Sequence, residues 1–314
     1  MSASWYRNLT AYVKCGNNVA SSSTCFNVLS GTPQGSLLGG KFFNFIIDKL
    51  LAQLEDAQIG CHINGIFAGT IAYADDLMLL SASVVQMKTM LNICYKFGIL
   101  CDLKFNCTKS FWGLVGKLHG RIVPEFELGG ILVPRCDVIT YLGIDFTFGV
   151  SLGIDYKKRT QKFMAAVSSV LLHKVIGYES LFSTLLISKC LPILSYGLDC
   201  LLLDSKSLNS VSKAWNTAFR WLCGLRKFDS TRLLFLQCKT MSLKFLLDCR
   251  LMCFFHTIRQ CSNVLVKCLS LACLCEGLCF KTCFERYELY PMSDINSIKS
   301  RVQSAFYMYC DEKL

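Results

Sequence analysis

The stretch Gly65–Ser81, G-I-F-A-G-T-I-A-Y-A-D-D-L-M-L-L-S, decides how the rest of the chain is read. Apolar residues run on both sides of a single polar pair, Asp75-Asp76. Short runs rich in Ile, Phe, Tyr and Leu, broken by one small polar step, predict a β-hairpin. Both acids then sit at the bend, with their carboxylates at one edge of a sheet. Two adjacent acids among so many apolar residues are costly unless a cation or water neutralises them. A divalent cation is the simplest answer, because Mg2+ takes one or two carboxylates together with substrate phosphates. A solvated Asp-Asp turn is the plain alternative for the tetrapeptide alone.

Upstream, Gly31-Thr32-Pro33-Gln34-Gly35-Ser36 is a turn by composition. Leu38, Phe42, Phe45, Ile46, Leu50 and Leu54 then recur at helical steps. A Gly-rich loop therefore feeds a helix N-terminus, where backbone N–H groups can meet phosphate or a base. An ordinary loop-to-helix junction has the same pattern. Downstream, Ser83 is placed to cap a helix marked by Val84, Met87, Leu91, Cys94 and Tyr95 and ending near Gly98. Lys109 follows at the end of a short strand and turn, Leu103 to Ser110. Phe111 to Val115, Phe126 to Val133 and Val138 to Phe146 read as strands separated by Gly- or Pro-containing turns. The fold class is α+β, with sheet and helix mixed in the first half.

From Asp155 onward the chain reads as mostly helical. The clearest helix runs from Ser205 to Gly224, with Leu208, Val211, Trp215, Phe219 and Leu222 on its apolar face. Lys206, Lys213, Arg220 and Lys227 repeat every seven residues on another face. Such a row suits a phosphate backbone, and equally the solvated face of a core helix. In Leu265–Tyr290, Cys268, Cys273, Cys275, Cys279 and Cys283 invite a zinc reading, but no pair has C-x-x-C spacing and no His follows His256. Buried thiols are the favoured reading.

Composition sets the frame. A chain of 314 residues accommodates two or three domains. The apolar fraction is 53% and the mean hydropathy +0.40. The longest apolar stretch, Ser180 to Leu203, is interrupted by Lys189, Pro192 and Asp199, so it falls short of a clean span of ~20 residues. No charged-then-apolar leader pattern opens the sequence. Twenty cysteines without one predict free thiols in a reducing compartment, nuclear or cytoplasmic. Residues 1–150 carry 11 basic and 10 acidic side chains, whereas residues 151–314 carry 22 and 12. A near-neutral half holding the acidic pair, followed by a basic half, predicts a chemical centre beside a module that grips a polyanion.

The order of these features resembles the palm and thumb of a reverse transcriptase of the non-LTR retrotransposon (LINE-like) type. S-S-T-C-F-N-V-L-S-G, Ser22 to Gly31, is similar to the approach to that family's Gln-Gly loop. G-T-P-Q-G-S-L-L with the later F-F-N-F-I-I-D resembles the loop and the helix it opens. Y-A-D-D-L resembles the metal-binding hairpin, and L-K-F-N-C-T-K-S the segment whose Lys lies near the incoming nucleotide's phosphates. Y-L-G, Tyr141 to Gly143, resembles the hairpin that grips the primer end. Each motif is short, but five in the family's order are specific. An intron maturase-like splicing factor fits the spacing around Y-A-D-D less well.

The resemblance implies RNA-directed DNA synthesis, in which a primer hydroxyl attacks the α-phosphate of a deoxynucleoside triphosphate with two Mg2+ (or Mn2+) ions in attendance. It implies Asp75 as principal metal ligand, Asp76 as the secondary one and Lys109 as proton donor or charge stabiliser. Gln34, Gly35, Tyr73 and Ala74 fall where template, nucleotide and primer end meet, and Lys206, Lys213, Arg220 and Lys227 become duplex contacts. The implied partners are an RNA template and a DNA primer, with no membrane.

Two departures qualify the implication. Gly39-Gly40 stands where the family has Ser-Pro, which loosens the start of the helix by about 1 kcal/mol per Gly. The family's first catalytic Asp lies several tens of residues before the Gln-Gly loop, and no acid precedes Asp48 here. Asp102, Asp137 and Asp145 are the nearest substitutes, without supporting spacing. The expectation is a fragment: palm remainder over 1–150, thumb over 151–250 and a Cys-rich extension over 251–314. It should polymerise poorly or not at all alone, with an open sheet edge and a need for a partner chain supplying the rest of the palm and the fingers. The alternative from another class is a non-catalytic nucleic-acid-binding remnant of a mobile element.

Overall fold

The computed structural model describes residues 9–11, 14–15, 18–19, 26–28, 31, 35–117, 119–120, 122–174, 177–198, 205–275, 279–291 and 293–311. It is α+β, as the periodicities require. The chain divides into two compact units, the first Met1–His62 with Phe67–Phe105 and the second Ile63–Ile66 with Asn106–Leu314.

In the first unit, helix α1 (Gly39–Asp56) packs against helix α2 (Val84–Leu100), and between them in sequence lies the hairpin of β1 (Thr70–Tyr73) and β2 (Asp76–Leu79). Leu50, Leu54, Met90, Cys94 and Phe97 are buried. Leu50 and Leu54 are one helical turn apart, and so are Met90 and Cys94, so each helix contributes one stripe. The stripe of α1 is only half covered: Ile46 is half-buried, while Leu38, Phe42 and Phe45 are exposed. On α2, Tyr95 is exposed and Phe97 takes the inward position in its place. Ser83 is extended (φ −127°, ψ 131°) as an N-cap should be, but its side chain bonds no helix amide. Ahead of α1, Thr10–Ala11 pairs with Phe26–Asn27 and Lys14–Cys15 with Asn18–Val19.

Gly60 ties the hairpin down. Cys61 N–H donates to Leu80 O (3.0 Å), and Leu80 N–H donates to Gly69 O (2.7 Å). Gly60 has φ +110°, and a Cβ there would lie 2.9 Å from Leu80 O and 3.2 Å from Gly69 Cα, so only glycine fits.

The second unit begins with two small antiparallel sheets. Strand β3 (Phe126–Leu128) pairs with β4 (Ile131–Val133), and β5 (Val138–Tyr141) pairs with β6 (Ile144–Thr147), which pairs with β7 (Gly153–Ile154). Two stretches expected as single strands are therefore hairpins. They fold back at Gly129-Gly130 (φ 63° and 80°) and at Leu142-Gly143 (φ 47° and 75°). The expected strand Phe111 to Val115 is reduced to one bridge, Trp112 to Arg135.

Helices follow: α3 (Lys157–Leu171), α4 (Glu179–Leu185), a π-helical turn (Leu186–Cys190), α5 (Leu191–Ser195), α6 (Ser205–Cys223), α7 (Arg232–Gln237), α8 (Leu243–Gln260), α9 (Val264–Cys275), α10 (Cys279–Arg286) and α11 (Ile295–Asp311). The face predicted for α6 is the core: Val211, Trp215, Phe219 and Leu222 are buried and Leu208 packs beside them. Trp215, Phe219 and Phe235 pack with centroids 4.8 to 6.5 Å apart, Phe219 edge-on to both of the others. A second cluster joins Met252 and Phe255 of α8, Phe284 and Tyr287 around the end of α10, and Ile298 and Val302 of α11. There Tyr287 Oη–H donates to Asp248 Oδ2 (2.7 Å), which also accepts from Arg286. Among the described residues no helix is long and apolar enough to cross a membrane.

Candidate functional site

The acidic pair sits where the alternation places it. Tyr73 pairs with Asp76 across the last rung of the β1–β2 ladder, leaving Ala74 and Asp75 as a two-residue turn. Ala74 has φ 53°, a left-handed conformation that costs an L-residue about 1–2 kcal/mol. Both Asp side chains are exposed, and neither makes an ion pair or hydrogen bond among the described residues. Tyr73 beside them is 63% exposed, a large aromatic left in water. The turn therefore presents two free carboxylates and a phenol on a strained tip, an arrangement found where strain serves a site.

Two free oxygen-donor side chains fit a single hard cation that takes its remaining ligands from water and phosphate. A pair of ions bridged by a further carboxylate needs more than these donors. No group of three His, Cys, Asp or Glu residues suited to a metal forms among the described residues. The nearest acids have other partners or places. Asp145 accepts from Thr140 Oγ1 (2.5 Å) and pairs with Lys158 (3.4 Å), and these contacts hold its carboxyl below the usual range. Asp137 lies 3.7 Å from His119, and Asp102 forms the turn after α2 at φ 53°.

Gly35 precedes α1 with φ 83°, which glycine adopts freely. Gln34 lies outside the described residues. The helix starts at Gly39, so the two glycines occupy its first turn.

Lys109 belongs to the second unit and stands on a turn rather than a strand. Asn106 organises this turn. Its Oδ1 accepts from Thr108 N–H (3.0 Å), Thr108 Oγ1–H (2.7 Å) and Lys109 N–H (3.3 Å), while its carbonyl accepts from Ser110 Oγ–H (2.9 Å). Buried Cys107 anchors the turn by donating to Leu128 O. The Lys109 side chain is left exposed. The Asn-x-Thr spacing is the sequence trace of such an Asx turn.

The cation row of α6 is uneven. Lys206 and Lys213 are exposed on the helix. Arg220 is half-buried, and its Nε–H donates to Asp229 O (2.9 Å). Lys227 falls beyond the helix end, past Gly224 (φ 66°), with its ammonium 5.7 Å from the Phe228 ring centre. A seven-residue repeat carries a shared face only while the helix lasts, and the positive-φ glycine stops it first.

In the Cys-rich stretch, Cys283 is buried in the second cluster and Cys268 is half-buried, both as free thiols. The side chains of Cys273, Cys275 and Cys279 lie outside the described residues. Burial pushes the thiols of Cys94 and Cys249 up to about 12, so both are inert at neutral pH.

Compared with known proteins, residues 2–146 match the family described as reverse transcriptase (RNA-dependent DNA polymerase). One similar protein is the retrovirus-related Pol polyprotein from type-2 retrotransposable element R2DM of Drosophila melanogaster. It is 31% identical over 134 residues, which cover 40% of this chain and 13% of that protein. Another is the retrovirus-related Pol polyprotein from type-1 retrotransposable element R2 of Popillia japonica. It is 29% identical over 150 residues, covering 45% of this chain and 20% of that protein. The chain thus spans a minor part of the curated relatives it matches.

Proposed function

We propose, with residues 2–146 as a reverse transcriptase segment of the non-LTR retrotransposon type, that this chain contributes to RNA-directed DNA synthesis by nucleotidyl transfer. The observation that carries the proposal is the free, exposed Asp75–Asp76 pair on a tight hairpin within the matched residues. Asp75 and Asp76 would hold a divalent cation, Mg2+ or Mn2+, whose chemistry is charge neutralisation at the attacking and leaving oxygens. Asp75 on the turn is the principal ligand, and Asp76 on the first rung of β2 is the secondary one. By the resemblance, Tyr73 and Ala74 would serve the primer end, and Gln34 and Gly35 the template and incoming nucleotide. Lys109 offers an unshielded ammonium for the leaving pyrophosphate. The Tyr141–Ile144 hairpin takes the primer terminus. Lys206 and Lys213 are the strongest candidates for contacts to the duplex, since Arg220 is spent on Asp229 O and Lys227 stands off the helix.

The organisation consistent with this reading is a palm remainder over 1–150, a thumb over 151–250 and a Cys-rich extension over 251–314, in the nucleus or cytoplasm. Because only two carboxylates meet at the tip among the described residues, we propose further that the chain polymerises poorly alone and takes a further ligand from a partner chain. Primer extension on an RNA template with Mg2+, beside the Asp75→Ala variant, tests both points. Extension by the parent alone supports the catalytic role of Asp75 and overturns the need for a partner. Equal extension by both overturns the role of Asp75. If neither extends, an Mn2+ titration followed by paramagnetic resonance decides: binding lost in Asp75→Ala keeps the metal role, and unchanged binding leaves a duplex-binding remnant.

A further inference from the structure

The Leu142-Gly143 turn is held from outside its own hairpin by two residues that no motif marks. Both turn residues have positive φ, 47° and 75°, the pattern of a type I′ turn usually made by Asn-Gly or Gly-Gly. A leucine Cβ crowds the backbone there, so the conformation persists only where surrounding contacts fix it. Each carbonyl of the turn has its own donor. Tyr196 Oη–H donates to Leu142 O (2.9 Å), and Arg159 Nη2–H donates to Gly143 O (2.5 Å). Arg159 Nη1–H also donates to Tyr196 O (2.8 Å), and its guanidinium lies 4.8 Å from the Tyr196 ring centre. Arg159 comes from the first turn of α3 and Tyr196 from the end of α5. Lower on the hairpin, Thr140 and Lys158 converge on Asp145, whose carbonyl accepts from Asp155 N–H (2.9 Å).

We propose that Arg159 and Tyr196 are positioning residues, which brace the Tyr141–Ile144 tip as a fixed ledge against which a primer's 3′ end is set. The proposal rests on the reading of that hairpin as the primer-end element. Arg159 is suited to bracing and not to gripping phosphate. Two of its donors are committed to carbonyls, and its guanidinium carbon lies over the Tyr196 ring, a forked contact lysine does not reproduce. Removing the brace leaves the rungs from Val138–Thr147 to Tyr141–Ile144 intact but frees the tip from the helices. Duplex affinity, carried elsewhere, stays put while the primer end loses its register.

The test uses the full chain and a DNA primer annealed to an RNA template, with 4-thiothymidine as the primer's last nucleotide. Photocrosslinking mapped by mass spectrometry reads where the 3′ end lies, and fluorescence anisotropy reads duplex affinity. The parent is expected to crosslink within residues 141–146. Arg159→Ala is expected to cut that yield about tenfold, the scale of one lost charged hydrogen bond, with duplex affinity unchanged. Arg159→Lys should recover only part of the yield, and Tyr196→Phe, one hydroxyl fewer, should fall between. Variants that crosslink like the parent overturn the positioning role. A parent that does not crosslink there overturns the reading of the hairpin itself, a different failure. Should Arg159→Ala not fold, by circular dichroism, Tyr196→Phe decides alone.

Discussion

The first unit and the second solve the problem of burying apolar surface very differently. In the second, Trp215, Phe219, Phe163 and Phe255 have no measurable exposure, and two clusters run through its helices. In the first, the buried set among the described residues is short, and Leu37 is 97% exposed, Leu100 79% and Phe45 64%, although the second unit also leaves Ile122, Leu172 and Phe228 in water. Burial of a large apolar side chain contributes about 1.5–3 kcal/mol, so each left in water is stabilisation forgone. Leu38, Phe42 and Phe45 share one face of α1, which makes the deficit a row and not scatter. The acidic tip, with its free carboxylates and its left-handed alanine, is built on the unit with the shorter buried set among the described residues. The braced turn is built on the unit with the longer one.

Four experiments break or sharpen that contrast. Trp215→Ala should have the largest effect. Removal of a fully buried indole costs about 3–5 kcal/mol, read as a fall in the urea midpoint reported by the second unit. If first-unit probes fall in step, the units are not separate and the contrast fails. Ala74→Gly should stabilise the first unit by about 1 kcal/mol, because glycine adopts φ 53° without strain. An unchanged or lower midpoint by hydrogen exchange at β1 and β2 would show that the tip is not strained.

Asp145 gives a smaller, pH-dependent effect. Its carboxyl is held low first by the Thr140 hydroxyl and then by Lys158. A depressed folded-state pKa adds stability above the ordinary Asp value of about 3.9, and that stability is lost as pH falls through the folded pKa. Asp145→Asn should therefore flatten the acid limb of the second unit's stability below about pH 4. A limb that keeps its slope denies the contact. Phe45→Ser should move stability least, within about 0.5 kcal/mol, because the ring is already in water. A large loss of stability would mean the row is covered after all.

What the sequence made legible follows from the range over which each cause acts. The β1–β2 hairpin was readable, with Asp75 on its turn and Asp76 on its first rung, because alternation and a polar step are local. The core face of α6 was readable because five apolar residues, Leu208 to Leu222, hold one phase along a 19-residue helix. Periodicity read the turn at Leu142-Gly143 as strand and only the Y-L-G resemblance marked a hairpin there, because leucine is not a turn residue and its conformation is imposed from residues 16 and 54 positions away. Gly129-Gly130 carried a turn signature, and apolar flanks outweighed it. Arg220 looked like its neighbours in the row, yet its partner Asp229 exists only because the chain doubles back after Gly224. Asn106 could have been found from Thr108 two residues on.

The π-helical turn Leu186–Cys190 gives the fold an unusual sensitivity to chain length. Such a turn holds one residue more than α-geometry needs, and here it precedes Pro192, which has no N–H to return to the helix. An ordinary helix covers the same length with one residue fewer and its flanks in phase, so losing a residue between 186 and 190 can be absorbed, whereas adding one would rotate everything after it by about 100°. Tyr196 would swing away from Leu142 although no residue of the brace had changed. Along this stretch a one-residue insertion should be tolerated worse than a one-residue deletion, because the turn already carries the surplus residue that keeps the helices in phase with the hairpin.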